Sequence, residues 1–327
     1  MSVNQSESFL VTGSMGCIGS WVLRHLLDQQ VRVVATDLGT DPERPRLLLD
    51  DEELDRITWA SLDVTDQAAV QQMVAEHEVT RFIHLAGLQI PFCKADPALG
   101  AAVNVVGTVN LLEAAREHGV SGFTYASSVG VFGPPSMYQP PVGEDVPVTP
   151  GTLYGIYKRC NEETARVYWQ DWSVGSVGLR PYNVYGVGRD QGMTADIAKA
   201  ILASAVGQPF HIRYGGPITL QHASDVAAIF IGAARSEYQG AAICNLRNDV
   251  TTVEAFVEQL NAQCPGAQVT CASENQLPFP ADFDDSRLRD ILGEVPHLPL
   301  ADAIEQDIKQ YQALAAAGRI DLSQLSS

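Results

Sequence analysis

The chain has 327 residues, 46% of them apolar and 18% charged, which is the balance of a globular enzyme with a sizeable core in one large domain or two modest ones. Its formal charge of −18 repels phosphate backbones, so no nucleic-acid partner is expected. No stretch approaches the run of about 18 apolar residues that spans a membrane, and Met1 to Ser8 is polar without a basic start or apolar centre, so neither a membrane anchor nor a secretory signal is expected.

Taken in chain order, Phe9-Leu10-Val11 reads as a short buried strand followed by a glycine-rich turn. Gly16 to Gln30 reads as a helix whose apolar face is Ile18, Val22, Leu23, Leu26 and Leu27. Residues 31–36 form the next strand, ending at Asp37, and Asp50-Asp51-Glu52-Glu53 reads as a solvated helix start. Ile57 to Leu62 is a third strand, and Asp66 to His77 a helix with Thr65 as its cap. Arg81 to Leu85 is a fourth strand, Pro97 to His118 a long helix and Gly122 to Ala126 a fifth strand. Gly133 to Gly151 holds six prolines and reads as a surface loop near the site. Leu153 to Asp171 is a helix and Val174 to Leu179 a sixth strand.

After Arg180 the pattern loosens. Gly192–Val206, Ser224–Ala234, Thr251–Cys264 and Leu300–Ala317 read as helices, with strands at Phe210–Tyr214 and Ala241–Leu246. Strands alternating with helices call for a parallel sheet covered on both faces, and the near-continuous apolar strands agree. The expected fold is α/β: a Rossmann-type, doubly wound parallel sheet with a smaller carboxyl-terminal α/β substrate lobe. Residues 1–180 supply the nucleotide-binding domain with the catalytic residues, and 181–327 mostly the lobe, with some segments free to return to the main sheet.

The turn Gly13-Ser14-Met15-Gly16-Cys17-Ile18-Gly19 follows a strand and opens a helix, the context a dinucleotide requires. Gly13 permits the tight turn, Gly16 lets backbone approach a pyrophosphate, and Gly19 lets helix pack on strand. The helix amino terminus then offers free N–H groups and a favourable dipole. Asp37, 18 residues beyond Gly19, would accept the adenosine ribose hydroxyls and repel a 2′-phosphate. Leu38-Gly39-Thr40 follows without an arginine, so NAD is favoured over NADP. Asp63-Val64 would meet the adenine edge or cap a helix.

Tyr154-Gly155-Ile156-Tyr157-Lys158 carries the second signal. A free tyrosine, with a pKa of about 10, is a poor base, but a nearby ammonium favours its phenolate. Residues four apart share a helix face, so Lys158 can sit beside Tyr154. Taken by itself, Lys158 would sooner form an ordinary surface pair with Glu162, and Tyr157 reads as core or interface. His84 reads as a satisfied core histidine. Cys17, Cys93, Cys160, Cys244, Cys264 and Cys271 show no metal-type spacing. No metal is expected, and a reducing cytoplasm fits best.

The Gly-x-x-Gly-x-x-Gly spacing joined to Tyr-x-x-x-Lys resembles the extended short-chain dehydrogenase/reductase family, also called the NAD-dependent epimerase/dehydratase family. Further landmarks follow in order: His84-Leu85-Ala86-Gly87, the helix from Asn104 to Ala115, Ser127-Ser128 through Gly133, and Leu179-Arg180-Pro181-Tyr182-Asn183-Val184-Tyr185-Gly186. The resemblance implies Ser128, Tyr154 and Lys158 as catalytic residues, Ser128 being preferred to Ser127 because it stands five residues before Gly133. It implies cofactor contacts from Gly13, Met15, Gly16, Cys17, Ile18, Gly19, Asp37, Asp63, Val64, Leu85, Ala86, Gly87, Asn104, Tyr154, Lys158, Tyr182, Asn183 and Val184, with Asn104 as readily tying backbone groups near the site or serving a purely structural role. Substrate contacts would come from Ser128, Asn183, Arg189 and Gln191, with Arg189 pairing a carboxylate or serving only as a turn residue.

Val129-Gly130 stands where the family's dehydratases carry Asp-Glu, which argues against dehydration. Ile218 stands where its sugar-nucleotide epimerases place an arginine, and residues 187–194 replace their Asn-rich element. The leading expectation is therefore an NAD-dependent dehydrogenase or reductase of a small polar alcohol or carbonyl, a sugar or hydroxy acid. An epimerase with the same triad comes second and a non-catalytic NAD-binding protein third. The resemblance also implies a homodimer through Pro97–His118, carrying Ala98, Ala101, Ala102 and Val105, and Leu153–Asp171, carrying Ala165, Val167, Tyr168 and Trp169, though burial within the monomer explains some of these equally well.

Overall fold

Short apolar runs and amphipathic stretches assemble, in the computed structural model, around a seven-stranded parallel sheet. The structure describes residues 7–326; Met1–Ser6, on which the expectation of no secretory signal chiefly rests, lies outside them. The first half contains β1 (Ser8–Thr12), α1 (Cys17–Asp28), β2 (Arg32–Asp37), α2 (Asp51–Leu54), β3 (Thr58–Ser61), α3 (Gln67–Glu76) and β4 (Arg81–His84). Next come α4 (Ile90–Ala95), α5 (Pro97–Ala101), α6 (Gly107–His118), β5 (Gly122–Ala126), α7 (Leu153–Trp172) and β6 (Ser176–Arg180). The remainder holds β7 (Asn183–Tyr185), α8 (Asp196–Ala205), β8 (Phe210–Ile212), β9 (Pro217–His222), α9 (Ala223–Arg235), β10 (Ala241–Asn245), β11 (Asp249–Thr252), α10 (Val253–Gln263), β12 (Val269–Cys271), α11 (Ser286–Leu292) and α12 (Leu300–Ala316).

The main sheet runs β3-β2-β1-β4-β5-β6-β10. Alternate residues of its strands feed two cores. Phe9, Val11, Val33, Ala35 and Ile83 face one; Leu10, Val34, Phe82 and Phe123 face the other. Strand order reverses between β1 and β4, which opens the ligand crevice of this architecture at the carboxyl edge. A three-stranded sheet, β11-β9-β7, and the pair β12-β8 lie outside the main sheet.

The Ala241–Leu246 strand is one of the segments that return to the main sheet: β10 pairs in parallel with β6 at its edge. Other expectations need correction. Helix α9, buried along Val226, Ala227, Ile229, Phe230, Ile231, Ala233 and Ala234, packs against α1; so apolar a helix must be covered on more than one side. Thr65 is not the cap of α3. Asp66 is, accepting from Ala69 N at 3.0 Å, while Thr65 Oγ1 is drawn to Asp63 Oδ1 at 2.8 Å. The proline-rich segment contributes nothing to the cleft wall; Val142 instead exchanges backbone bonds with 282 and 284 at 2.9 Å.

The predicted long helix over Pro97–His118 is interrupted. Residues Ala102–Val106 form one π turn, with Gly107 N donating to Ala102 O. The turn leaves Asn104 O to other donors: Asn161 Nδ2 of α7 and Thr108 Oγ1, both at 2.8 Å. This stretch is long and apolar enough to cross a membrane by length and composition, with half of its most apolar part buried. Its α6 portion packs on α3 and α7. The acidic run begins α2 as expected, through a capping box between Asp50 and Glu53.

Candidate active site

A cleft of about 480 Å³ opens at the strand-order reversal, walled by the loops that follow β1 to β7. At Gly13, φ is +68°, and a Cβ there would stand 2.6 Å from Ala86 N; only glycine satisfies both conditions. A Cβ on Gly19 would collide with Gly13 O. Helix α1 starts at Gly16 without a side-chain cap, which leaves first-turn N–H groups for an anion. Asp37 ends β2 with its carboxylate held by Met15 N at 3.1 Å and Leu38 N at 2.9 Å. Each oxygen keeps a further acceptor site for a ribose hydroxyl. These features, a bare helix start, a cradle that a Cβ would fill and an oriented carboxylate, fit a dinucleotide such as NAD.

Tyr154 stands in the first turn of α7, which Thr152 caps by accepting from Gly155 N at 3.1 Å. A Cβ on Gly155 would collide with Gly130 O, so glycine lets this turn rest on the segment after β5. The Cβ position of Gly130 is 3.3 Å from both Ser128 Oγ and Tyr154 Cδ1, which places hydroxyl and ring together. Lys158, one turn onward and buried, places Nζ 5.6 Å from the centre of the Tyr154 ring. It donates to Ala126 O at 2.8 Å.

Electrostatics here differ from the expectation that Lys158 makes Tyr154 more acidic. Burial raises the Tyr154 pKa, and the downward pulls come from Ser128 and Arg189. Burial lowers Lys158 to about 8. Its ammonium donates to a carbonyl and stands over the ring. His84 is pushed down to about 3 by burial and then by Lys158; Thr12 at 2.7 Å and Thr108 at 3.1 Å hold the neutral ring. Burial pushes the Cys17 thiol up to about 12.

Lys158 and Glu162 are not a surface pair. Glu162 grips the fully buried Arg180, at 2.7 Å to Nε and 2.8 Å to Nη2, and accepts from Ser127 Oγ at 2.6 Å. Ser127 is thereby tied down, whereas Ser128 Oγ accepts from Gly130 N at 3.0 Å and faces the Tyr154 hydroxyl. Tyr157 donates to Pro97 O at 2.9 Å.

Gly13, Met15, Gly16, Cys17, Ile18, Gly19, Asp37, Asp63, Val64, Leu85, Ala86, Gly87, Ser128, Tyr154, Lys158, Tyr182, Val184 and Arg189 all line the cleft. Three expected residues do not. Asn183 is fully buried and donates to Tyr214 OH at 3.2 Å; on a strand its neighbours Tyr182 and Val184 take the cleft-facing positions. Asn104 lies behind the wall, donating to Leu88 O at 3.2 Å and Gly100 O at 3.0 Å, with its own Oδ1 buried and unpartnered. Gln191 is exposed on the surface of its loop. The cleft also takes in Arg44, Gln89, Met193, Thr194 and Phe279. Arg44 and Phe279 come from irregular segments with no periodicity or motif to mark them.

The NAD dependent epimerase/dehydratase family matches residues 9–245. UDP-glucose 4-epimerase of Mycolicibacterium smegmatis is 31% identical over 318 residues, covering 93% of this chain and 98% of that protein. The L-threonine dehydrogenase structure from Clostridium difficile superposes with a TM-score of 0.81 at 18% identity, over 94% of this chain and 98% of that one. The Brucella ovis UDP-glucose 4-epimerase, solved with NAD, gives 0.78 at 22%, over 94% and 98%. With its glycine loop, Asp37, Ser128, Tyr154 and Lys158 gathered around one cleft, and this match along its length, the chain belongs to the NAD-dependent epimerase/dehydratase family of extended short-chain dehydrogenases/reductases.

Proposed function

We propose that the chain is an NAD-dependent dehydrogenase or reductase acting on a small polar alcohol or carbonyl, a hydroxy acid or sugar acid being the best fit. The supply of positive charge carries this reading. Among the described cleft-lining residues, Arg44 is paired with Asp190 at 2.9 Å, and Lys158, which donates to Ala126 O, is the one that would hold the nicotinamide ribose. Arg189 remains, its Nε buried and unpartnered and its Nη2 3.4 Å from Thr194 Oγ1. Tyr182, Val184, Met193 and Phe279 make the adjoining wall largely apolar, and Ile218 is fully buried. A nucleoside diphosphate asks for several cationic donors, whereas one guanidinium suits one carboxylate.

Bound NAD would accept the hydrogen and electron pair of the carbinol carbon. Tyr154, kept protonated by burial, would give its proton to a carbonyl oxygen in reduction and receive it back in oxidation. Ser128 Oγ would hydrogen-bond that oxygen and steady its developing charge. Lys158 would hold the nicotinamide ribose and Asp37 the adenosine ribose.

An epimerase is the second reading, favoured by the relative at 31% identity. Incubation with free NAD and a panel of hydroxy acids, sugars and aromatic alcohols decides between them. The expected result is NADH formation with a carboxylate-bearing alcohol, reduced by about 10²- to 10⁴-fold in Tyr154→Phe. Tightly retained NAD and isomer interconversion without net NADH would replace this reading with the second. Six free thiols support placement in a reducing cytoplasm.

A further inference from the structure

A bridge of charge stands beside the glycine loop, at the edge of the cleft. Arg44, in the irregular segment after β2, donates through Nη1 to Met15 O at 3.3 Å. Its Nε and Nη2 hold Asp190 Oδ1 at 3.0 and 2.9 Å, and Nε also reaches Oδ2 at 3.2 Å. A two-pronged pair of this kind fixes geometry as well as charge. Asp190 belongs to the loop after β7, so the pair joins the adenosine side of the cleft to the side that carries Arg189.

That loop turns on three glycines. Gly186, Gly188 and Gly192 take φ of +120°, +91° and +103°, conformations at which glycine turns without strain. Its root is fixed: Trp21 Nε1 donates to Val187 O at 3.0 Å and Tyr311 OH to Gly186 O at 3.2 Å. Its outer part reaches the adenosine side through Asp190. The bridge stands at the start of α1, where a diphosphate would rest.

We propose that Arg44 and Asp190 form a clasp that closes the 186–194 loop over the bound dinucleotide and sets how fast it leaves. The proposal rests on NAD being the cofactor. The pair is self-neutral, so it acts by tethering and not by attracting phosphate. This distinguishes the clasp from an arginine that binds the cofactor directly.

The test is stopped-flow displacement of NADH from the full chain, read by its fluorescence. Arg44→Gln and Asp190→Asn should each speed release by about three- to tenfold, and the double variant should be no faster than either. Exchanging the charges, with Arg44→Asp and Asp190→Arg together, should restore slow release, which separates the clasp from loss of fold. Slower release in Asp190→Asn, as a freed Arg44 gripping phosphate would give, overturns the clasp; so do unchanged rates in both single variants. Failure of the unaltered chain to bind NADH at all would overturn the cofactor assignment itself.

Discussion

Lys158 is a cation in a site that disfavours cations. Its pKa falls from an ordinary 10.5 to about 8 through burial. Between those values the unfolded chain binds the proton and the folded chain does not, so stability rises with pH there; below about 8 both states are protonated and the penalty is constant. Cofactor-free protein should therefore gain on the order of 2–3 kcal/mol relative to Lys158→Met between pH 8 and 10.5, measured by urea unfolding. Parallel pH profiles for the two proteins would show that Lys158 is not held against a desolvation penalty. Tyr154 and Lys158 were legible from sequence because a spacing of four on a helix leaves one geometry. Asn183 was not, since on a strand a shift of one residue reverses the side from which a group acts. Ser128 was separable from Ser127 only by resemblance, since the bond from Ser127 to Glu162 joins residues 35 apart in the sequence.

At the scale of elements, the Glu162–Arg180 pair joins α7 to the end of β6 with both side chains 1% exposed. Removing one partner strands a buried charge. Glu162→Ala is expected to cost about 3–5 kcal/mol, while replacing both residues with methionine should cost far less. Chemical denaturation of the single and double variants checks this, and an equal loss in both would mean that packing rather than charge dominates. The strands and helices of the main sheet were readable because apolar runs and amphipathic periodicity mark them. The π turn at 102–106 was not, because the residues on either side keep good helical character. Its carbonyl partner, Asn161, lies on another helix, beyond any local signal. The strands β7, β9, β11 and β12, of three to six residues, lack the continuous apolar runs that mark the main-sheet strands.

On the scale of the whole molecule, the helical face beside the cleft is unusually apolar for a surface. Phe92, Leu99, Val106 and Ile156 are 46–51% exposed along α4, α5, the π turn and α7. We propose that a second copy of the chain covers this face. Sedimentation should then give a dimer, and Ile156→Asp should shift it toward monomer, whereas a monomer at micromolar concentration would refute the pairing. Substrate identity stays beyond the sequence because Arg189 and Thr194 of the 186–194 loop meet Phe279 from a segment some 85 residues away, a meeting set by the fold.

The position of β10 has a consequence for how such a protein can be taken apart. The last strand of the nucleotide-binding sheet is supplied by residues 241–245, after the chain has already built β7 to β9. Severing the chain after residue 180 would strip β6 of its outer neighbour and α1 of its α9 cover, exposing an unpaired strand edge and an apolar helix face. A chimera that borrows specificity from a relative must therefore exchange two separate segments, 181–222 and 246–326, and leave the strand and helix between them in place.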